Sequence, residues 1–166
     1  MATDTHAIEN AQAWLENIVE MVKRLEHASD CNCDEDMTFS ACVDAMSDGM
    51  SFDDYHDSDA ALEAITESAL SVEVRSGWYF PGSEIQDTAP LEYKILLTTG
   101  GPALRIIGEL DQYGEPETAR LEWQDWGTPW TPLMFSDFTS PDEIVRVREE
   151  SAHALLTYAR AFYYGS

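Results

Sequence analysis

Residues 92–110 read EYKILLTTGGPALRIIGEL. The apolar residues at 93–97 and again at 104–110, several of them β-branched or aromatic, are typical of strands. The segment between them, Gly100-Gly101-Pro102, is typical of a turn. The stretch therefore predicts an antiparallel hairpin. Its glycines lack the GxxxxGK[ST] pattern of a phosphate loop and join two strands, so we do not expect them to bind phosphate.

Further strands are predicted on both sides of this hairpin. Val72 and Val74 alternate with Glu73 and Arg75, which indicates a strand that runs towards Trp78. After a turn at 113–116, residues 119–123 predict another strand. Loops are predicted at 80–90 and in the tryptophan-rich segment 124–132. Together these patterns predict an antiparallel meander of about four strands.

Helices are predicted before the meander. In the first, apolar residues recur at spacings of three and four, which is typical of a helix with one narrow apolar seam. The seam consists of Ile8, Ala11, Leu15, Ile18, Val22 and Leu25. Acidic loops are predicted at 28–37 and 47–57, with a short helix at 38–46 between them. Ser58 or Asp59 is then predicted to cap a helix that carries Leu62, Ile65 and Ala69 on one face and Asp59, Glu63 and Glu67 on another.

A long helix is predicted after the meander. Ser140-Pro141-Asp142-Glu143 combines a serine N-cap, proline at the first helical position and glutamate at the capping-box position. Its inward residues are predicted to be Ile144, Val147, Ala152, Leu155, Ala159 and Phe162. The sequence predicts an α+β fold in which this helix packs on the sheet. Residues 1–69 form the acidic helical region and 70–166 the α+β core of one compact unit.

The charge of the chain is extreme. It holds 32 acidic residues against 9 basic ones, a formal net charge of −23. Residues 25–74 contain fourteen of the acids and no lysine or arginine. Self-repulsion of this kind destabilises a fold, and solubility alone requires far less charge. We therefore predict a partner-binding acidic surface made of Asp34, Glu35, Asp36, Asp44, Asp48, Asp53, Asp54, Asp57, Asp59, Glu63 and Glu67.

The same charge excludes several classes of partner. Phosphate backbones and anionic membrane surfaces repel such a chain, so we expect no direct binding to nucleic acid or membrane. No apolar run approaches the roughly 18 residues of a membrane helix, and the first residues lack the features of a secretory signal. Three cysteines, an odd number, do not make a disulfide framework. These features favour the cytoplasm.

Metal and catalytic patterns are weak in this sequence. Four residues are potential ligands of a metal ion: Cys31, Cys33, Cys42 and His27. The CxC spacing of Cys31 and Cys33, however, differs from the CxxC spacing of structural zinc sites. The sequence leaves open whether these residues bind a metal. The four histidines are dispersed, with no HExxH motif and no nucleophile elbow. We therefore predict no catalytic residues and no cofactor.

Four stretches together resemble a widespread group of small acidic proteins carried by phages, plasmids and integrative elements. They are LSVEVRSGW at 70–78, EYKILLTTGGPALRIIGELDQYGEP at 92–116, QDWGTPW at 124–130 and LLTYARAFYYG at 155–165. The resemblance covers roughly residues 70–132 and 155–165, and the acidic insertion at 28–57 is not part of it. It implies a role for a mobile element inside a bacterial host, where small acidic proteins include anti-CRISPR and anti-restriction inhibitors.

These observations favour an anti-defence protein, most of all an anti-CRISPR, that acts as a DNA mimic. B-DNA carries one charge per about 1.7 Å of axis, so 23 charges match roughly 39 Å of duplex. Such a surface fits a bacterial host-defence protein complex with a basic DNA- or RNA-binding surface. The binding requires no chemistry.

Alternative functions stay open at this point. One is a small cytosolic enzyme or ligand-binding domain with a pocket between the sheet and the C-terminal helix, where Arg75, Arg105 and Arg120 would hold an anion. Others are a plain interaction subunit, or a homodimer formed through the N-terminal helix. We interpret three tryptophans as core and loop anchors: Trp123, Trp126 and Trp130. Base-stacking platforms are the less favoured interpretation, because such platforms lie in basic grooves. Anchoring a protein interface is their other interpretation.

Overall fold

A computed structural model describes residues 2–30, 50–78, 80–82, 89–134 and 141–165 of the chain. The helices in these ranges are α1 (Ala2–Asp30), α2 (Phe52–Tyr55), α3 (Ser58–Ser68) and α4 (Pro141–Arg160). The strands are β1 (Ser71–Ser76), β2 (Pro90–Thr98), β3 (Ala103–Glu109), β4 (Arg120–Gln124) and β5 (Thr131–Pro132). The predicted α+β fold is confirmed.

The strands form one antiparallel sheet in the order β1-β2-β3-β4-β5. The predicted hairpin of residues 92–110 is confirmed, and in it Ile95 pairs with Ile106. The sheet has one strand more than predicted, because Thr131 pairs with Trp123 inside the predicted loop 124–132. A strand of two residues has no periodicity, so only its pairing with β4 reveals it.

The inner face of the sheet is apolar because side chains on a strand alternate between faces. On β2 and β3 the residues that point inward are fully buried or nearly so: Tyr93, Ile95, Leu97, Leu104 and Ile106. Gly108 continues this row on β3. A Cβ at Gly108 would lie 1.8 Å from the carbonyl oxygen of Thr118, so the backbone after β3 packs closer than any side chain permits.

Helix α1 supplies much of the layer that covers this face. It contacts β4, α3 and α4, and it buries Ala7, Ala11, Leu15, Ile18 and Val22 in the same cluster as the sheet. Four of these belong to the predicted seam. Helix α4 contacts α1 and β4 and buries Ser151, Ala154, Leu155, Tyr158 and Ala159. None of the described helices has an apolar stretch long enough to cross a bilayer.

Two predicted loops are partly helical. Residues 28–30 continue α1 instead of beginning the loop at 28–37, and Phe52–Tyr55 forms α2 within the predicted loop 47–57. Tyr55 is buried, and its packing stabilises α2. The acidic sequence around Tyr55 does not indicate this burial. The predicted short helix at 38–46 and the capping residue Ser140 lie outside the described residues.

Helix α3 is rotated from its predicted orientation. It buries Ala61 and Ile65, whereas Leu62 is 40% exposed and Ala69 lies beyond the last helical residue. The Ser68 hydroxyl hydrogen-bonds the Tyr158 hydroxyl of α4 at 2.6 Å, a polar contact made by the last residue of α3. On α4, Ala152 is likewise exposed and Ser151 is buried in its place.

The N-cap of α3 is Asp57, one residue before the predicted Ser58 or Asp59. Its Oδ1 accepts hydrogen bonds from the backbone N–H groups of Asp59 at 3.0 Å and Ala60 at 3.1 Å. We expect Asp57→Ala to lower the free energy of unfolding by about 1 kcal/mol, because both donors lose their acceptor. Asp57→Asn keeps the acceptor and should stay near the wild type. Urea denaturation of both variants tests this, and an equal loss in the two would show that charge matters more than the cap.

Candidate functional site

The structure describes six of the eleven residues of the predicted acidic surface. We call these six the acidic helical face: Asp53, Asp54, Asp57, Asp59, Glu63 and Glu67. They lie on α2, at the N-cap of α3 and along α3. The other five predicted residues, Asp34, Glu35, Asp36, Asp44 and Asp48, lie outside the described residues. All six described carboxylates are on exposed residues.

The carboxylates of α3 form a row on its outward side. Ile65 is 0% exposed against α1, and at 3.6 residues per turn Glu63 and Glu67 lie on the opposite side of the helix. Asp59 continues the row one turn earlier. The spacing of four residues puts neighbouring charges about 6 Å apart along the axis. Like charges at this spacing repel one another, so the repulsion within the row lowers the stability of the helix.

Contacts with α1 fix the position of α2. The Ser51 hydroxyl accepts the backbone N–H of Asp54 and donates to its Oδ2 at 2.6 Å, which caps the short helix. The guanidinium of Arg24 on α1 donates to the backbone carbonyl of Asp54 at 2.8 Å. Tyr55 is buried beneath these contacts. Asp53 and Asp54 are therefore held on an ordered surface next to the row on α3.

The acidic helical face is not neutralised by the bases of the described residues. Within those ranges no lysine or arginine nitrogen lies within 4.0 Å of its carboxylates. The ion pairs of lysine and arginine in the same ranges lie elsewhere: Lys23–Glu150, Arg75–Glu92, Lys94–Glu73, Arg105–Glu122 and Arg120–Glu122. The face therefore keeps its negative charge available for a partner.

A second surface of the molecule has balanced charge. We call it the outer sheet face: the side chains of β1–β4 that alternate with the buried ones. Its bases are Arg75, Lys94, Arg105 and Arg120, and its acids are Glu73, Glu92, Glu109 and Glu122. Four positive and four negative charges cancel there. The excess negative charge of the described residues therefore lies elsewhere, and part of it forms the acidic helical face.

Glu122 organises one end of the outer sheet face. It is 4% exposed, and its carboxylate accepts hydrogen bonds from Arg105 at 2.7 and 2.9 Å and from Arg120 at 2.9 Å. The Trp130 ring lies 4.2 Å from the Arg105 guanidinium, a distance at which a cation–π contact is favourable. Both guanidiniums are therefore engaged with groups of the protein itself.

The outer sheet face also contains a concavity of about 750 Å³. Its lining includes Arg75, Lys94, Arg105 and Arg120. The alternative hypothesis placed a pocket between the sheet and the C-terminal helix, with three of these residues as anion holders. The structure puts the three arginines on the other face of the sheet, where each is paired with a glutamate.

The tryptophans of residues 123–130 have different environments. Trp123 is buried in the core, which confirms the prediction of an anchor for this residue. Trp130 packs on Arg105. Trp126 is 81% exposed, and its ring lies so close to Gly101 that a Cβ there would be 2.1 Å from the indole Nε1.

Three buried tyrosines have perturbed acidity. Burial raises the pKa of Tyr93, Tyr158 and Tyr164 above the ordinary value of about 10. The hydroxyls of Tyr93 and Tyr164 donate to the backbone carbonyls of Thr118 and Ala159, each at 2.6 Å. These phenols are protonated at neutral pH and stabilise the core.

Sequence patterns missed the pairing on the outer sheet face. Lys94 was not among the predicted anion holders, and the buried position of Glu122 has no local signature. Glu122 meets Arg105 only because β3 and β4 pair in a particular register, which places these two residues directly opposite each other. Alternation along β4 shows which face Glu122 occupies, but not its partner.

No family model, no curated protein and no solved structure matches this chain. The resemblance to acidic proteins of mobile elements therefore stays a prediction.

The carboxylates that have no lysine or arginine partner among the described residues predict a response of stability to salt. Raising the NaCl concentration from about 0.01 M to about 0.15 M shortens the Debye length from about 30 Å to about 8 Å. Because this screens repulsion within the acidic surface, we expect the melting temperature to rise. Differential scanning calorimetry across this range measures the effect. A flat or falling response would show that the charges are already paired or bound to an ion.

Proposed function

We propose that this protein is an anti-defence inhibitor of a phage or plasmid that binds a basic nucleic-acid-binding surface of a bacterial host-defence complex. The single observation that carries the proposal is the separation of charge over the described residues. Six exposed carboxylates on α2, at the N-cap of α3 and along α3 have no lysine or arginine partner within those residues. The bases of the outer sheet face, by contrast, are paired with glutamates of that same face.

This arrangement directs a basic partner to one side of the molecule. A surface rich in lysine and arginine is attracted to the acidic helical face and gains little from the neutral outer sheet face. The six carboxylates carry the charge of about 10 Å of duplex, since B-DNA has one charge per about 1.7 Å. The face therefore substitutes for a short segment of duplex, and other acidic residues would extend it.

The class of target follows from the kind of surface that such a mimic fits. CRISPR effector complexes hold a guide–target duplex in a positively charged channel and recognise its backbone geometry. An ordered array of carboxylates competes for the same lysines and arginines without being a substrate. The resemblance to acidic proteins of mobile elements supports an anti-CRISPR as the most specific form of the proposal. Inhibition by occupancy requires no catalytic residue and no cofactor.

Affinity capture tests this proposal. The tagged protein is incubated with lysate from a bacterium that carries CRISPR and restriction systems, then washed at low and at high salt. We expect recovery of a nucleic-acid-binding complex that is released by high salt and by added duplex DNA, because both weaken contacts to carboxylates. Recovery of no such complex, or of one that neither treatment releases, would contradict the proposal.

The concavity on the outer sheet face favours a second candidate, a ligand-binding domain. Its volume of about 750 Å³ is within the range of small-molecule sites. Its arginines, however, already hold glutamates, so an anionic ligand would have to displace carboxylates that are fixed on the same sheet. A thermal-shift screen with small anions distinguishes the candidates, because a ligand of the folded state raises the melting temperature.

A further inference from the structure

Two histidines contact each other at the C-terminal ends of α1 and α2. His27 lies in the last turn of α1, and His56 follows the last residue of α2. Their Nε2 atoms are hydrogen-bonded at 3.2 Å although 29 residues separate them in the chain. The rings of Tyr55 and Phe52 pack around the pair, with the Phe52 ring 4.0 Å from that of His56. The two imidazoles are partly buried and face each other.

A backbone contact sets the orientation of the His56 ring. Its Nδ1 is 2.8 Å from the carbonyl oxygen of Phe52. A carbonyl oxygen only accepts hydrogen bonds, so Nδ1 is the protonated nitrogen of the neutral ring. The lone pair is then on Nε2, which accepts the hydrogen bond from the Nε2–H of His27. Histidines that bind metals are oriented in this way, with the second ring nitrogen donating to a carbonyl or carboxylate.

The distance between the two nitrogens fits a shared metal ion. Zn–N bonds of about 2.0–2.1 Å at tetrahedral angles separate two nitrogen ligands by about 3.3–3.4 Å. The observed 3.2 Å is close to this value. We propose that His27 and His56 together bind a divalent transition-metal ion, Zn²⁺ in particular, that links the end of α1 to α2. The ion replaces the hydrogen bond between the two rings, and the neutral His27 ring then carries its proton on Nδ1 instead of Nε2. Among the described residues no third histidine, cysteine or carboxylate joins this pair, and water can occupy the other positions of a tetrahedral ion.

The metal would hold α2 and its carboxylates in place against α1. Asp53 and Asp54 belong to α2, which lies against α1 through Arg24 and through the two histidines. An ion that binds the folded arrangement and not the unfolded chain stabilises it by mass action. This inference does not depend on the proposed function, because metal binding is measured on the isolated protein.

Isothermal titration with Zn²⁺, in excess Mg²⁺ to occupy carboxylates, tests the site. We expect one Zn²⁺ per wild-type chain, and binding at least about 10-fold weaker in His27→Gln and in His56→Gln, because each variant loses a nitrogen ligand. His6→Gln is the matched control, since His6 is an exposed histidine on the same helix. It should bind Zn²⁺ as the wild type does.

A second measurement uses the wild type alone, so it is independent of the folding of the variants. Imidazole resonances in a heteronuclear NMR spectrum should shift for His27 and His56 on addition of one equivalent of Zn²⁺, and not for His6. The proposal is overturned if the wild type binds no Zn²⁺. It is also overturned if the affinity is unchanged in both histidine variants, which would mean that cysteines or carboxylates alone hold the ion.

Discussion

Replacing Gly108 with alanine is expected to lower the free energy of unfolding by about 3 kcal/mol, the upper end of the usual cost of overpacking. The added Cβ would lie 1.8 Å from the carbonyl oxygen of Thr118 and 2.6 Å from the hydroxyl of Tyr93. A backbone oxygen cannot rotate away. The backbone N–H of Glu109 donates to the Thr118 hydroxyl at 2.9 Å, and that of Glu117 donates to the Glu109 carbonyl. Relief of the clash therefore disrupts the connection from β3 to β4.

Gly77→Ala is the matched control for this substitution. A Cβ at Gly77 also meets an atom at 2.6 Å, but that atom is the Cδ1 of Leu91, which is at the end of a flexible and half-exposed side chain. We expect a loss below about 1 kcal/mol, because Leu91 can adopt another rotamer. Chemical denaturation of the two variants measures the difference. Equal losses would show that the backbone near Thr118 does not approach Gly108 so closely.

Neutralising the acidic helical face should weaken binding to its partner by about 100-fold. Six exposed ion pairs at about 0.5 kcal/mol each amount to about 3 kcal/mol, and every 1.4 kcal/mol is tenfold in affinity. Asparagine at 57 still caps α3, and asparagine at 54 still accepts from Ser51, so the fold should persist. The variant carries Asp53→Asn, Asp54→Asn, Asp57→Asn, Asp59→Asn, Glu63→Gln and Glu67→Gln.

A pair of triple variants separates the position of the charge from its amount. The first variant removes three charges from α3: Asp59→Asn, Glu63→Gln and Glu67→Gln. The second variant removes three exposed charges near the β3–β4 connection: Glu109→Gln, Glu115→Gln and Glu117→Gln. This connection and the α3–β1 connection lie at opposite ends of the strands. We expect about a tenfold loss of affinity in the first variant and almost none in the second. Equal losses, measured by titration calorimetry, would mean that only the net charge matters.

Local patterns predicted those parts of the fold that depend on periodicity. The strands of the central hairpin and the seam of α1 lie where the spacing of apolar residues puts them. Helix α3 shows where such reasoning fails. Leu62 is the larger apolar residue, yet Ala61 is the buried one, in a helix that packs against α1. Ser68 of the same helix contacts Tyr158, which lies 90 residues further along the chain. Tertiary contacts of this kind leave no mark on local sequence.

The candidate sites also differ in how far local sequence predicts them. The row of Asp59, Glu63 and Glu67 is predicted by i, i+4 spacing alone, and the structure confirms that these residues are exposed. The contact between His27 and His56, and the burial of Glu122 between two arginines, join residues from different elements. A sequence shows the members of such a site, but only the packing of helices or the register of strands brings them together.

The proposed mimicry is tested most directly by competition for the captured complex. Labelled duplex DNA is bound to the purified partner, and increasing amounts of this protein are added at low and at moderate salt, with fluorescence anisotropy as the readout. The account predicts that the protein displaces all of the DNA, that it does so less effectively at moderate salt, and that the variant with six neutralised carboxylates fails to displace it. Simultaneous binding of DNA and protein, or displacement by the neutralised variant as effective as by the wild type, would contradict it.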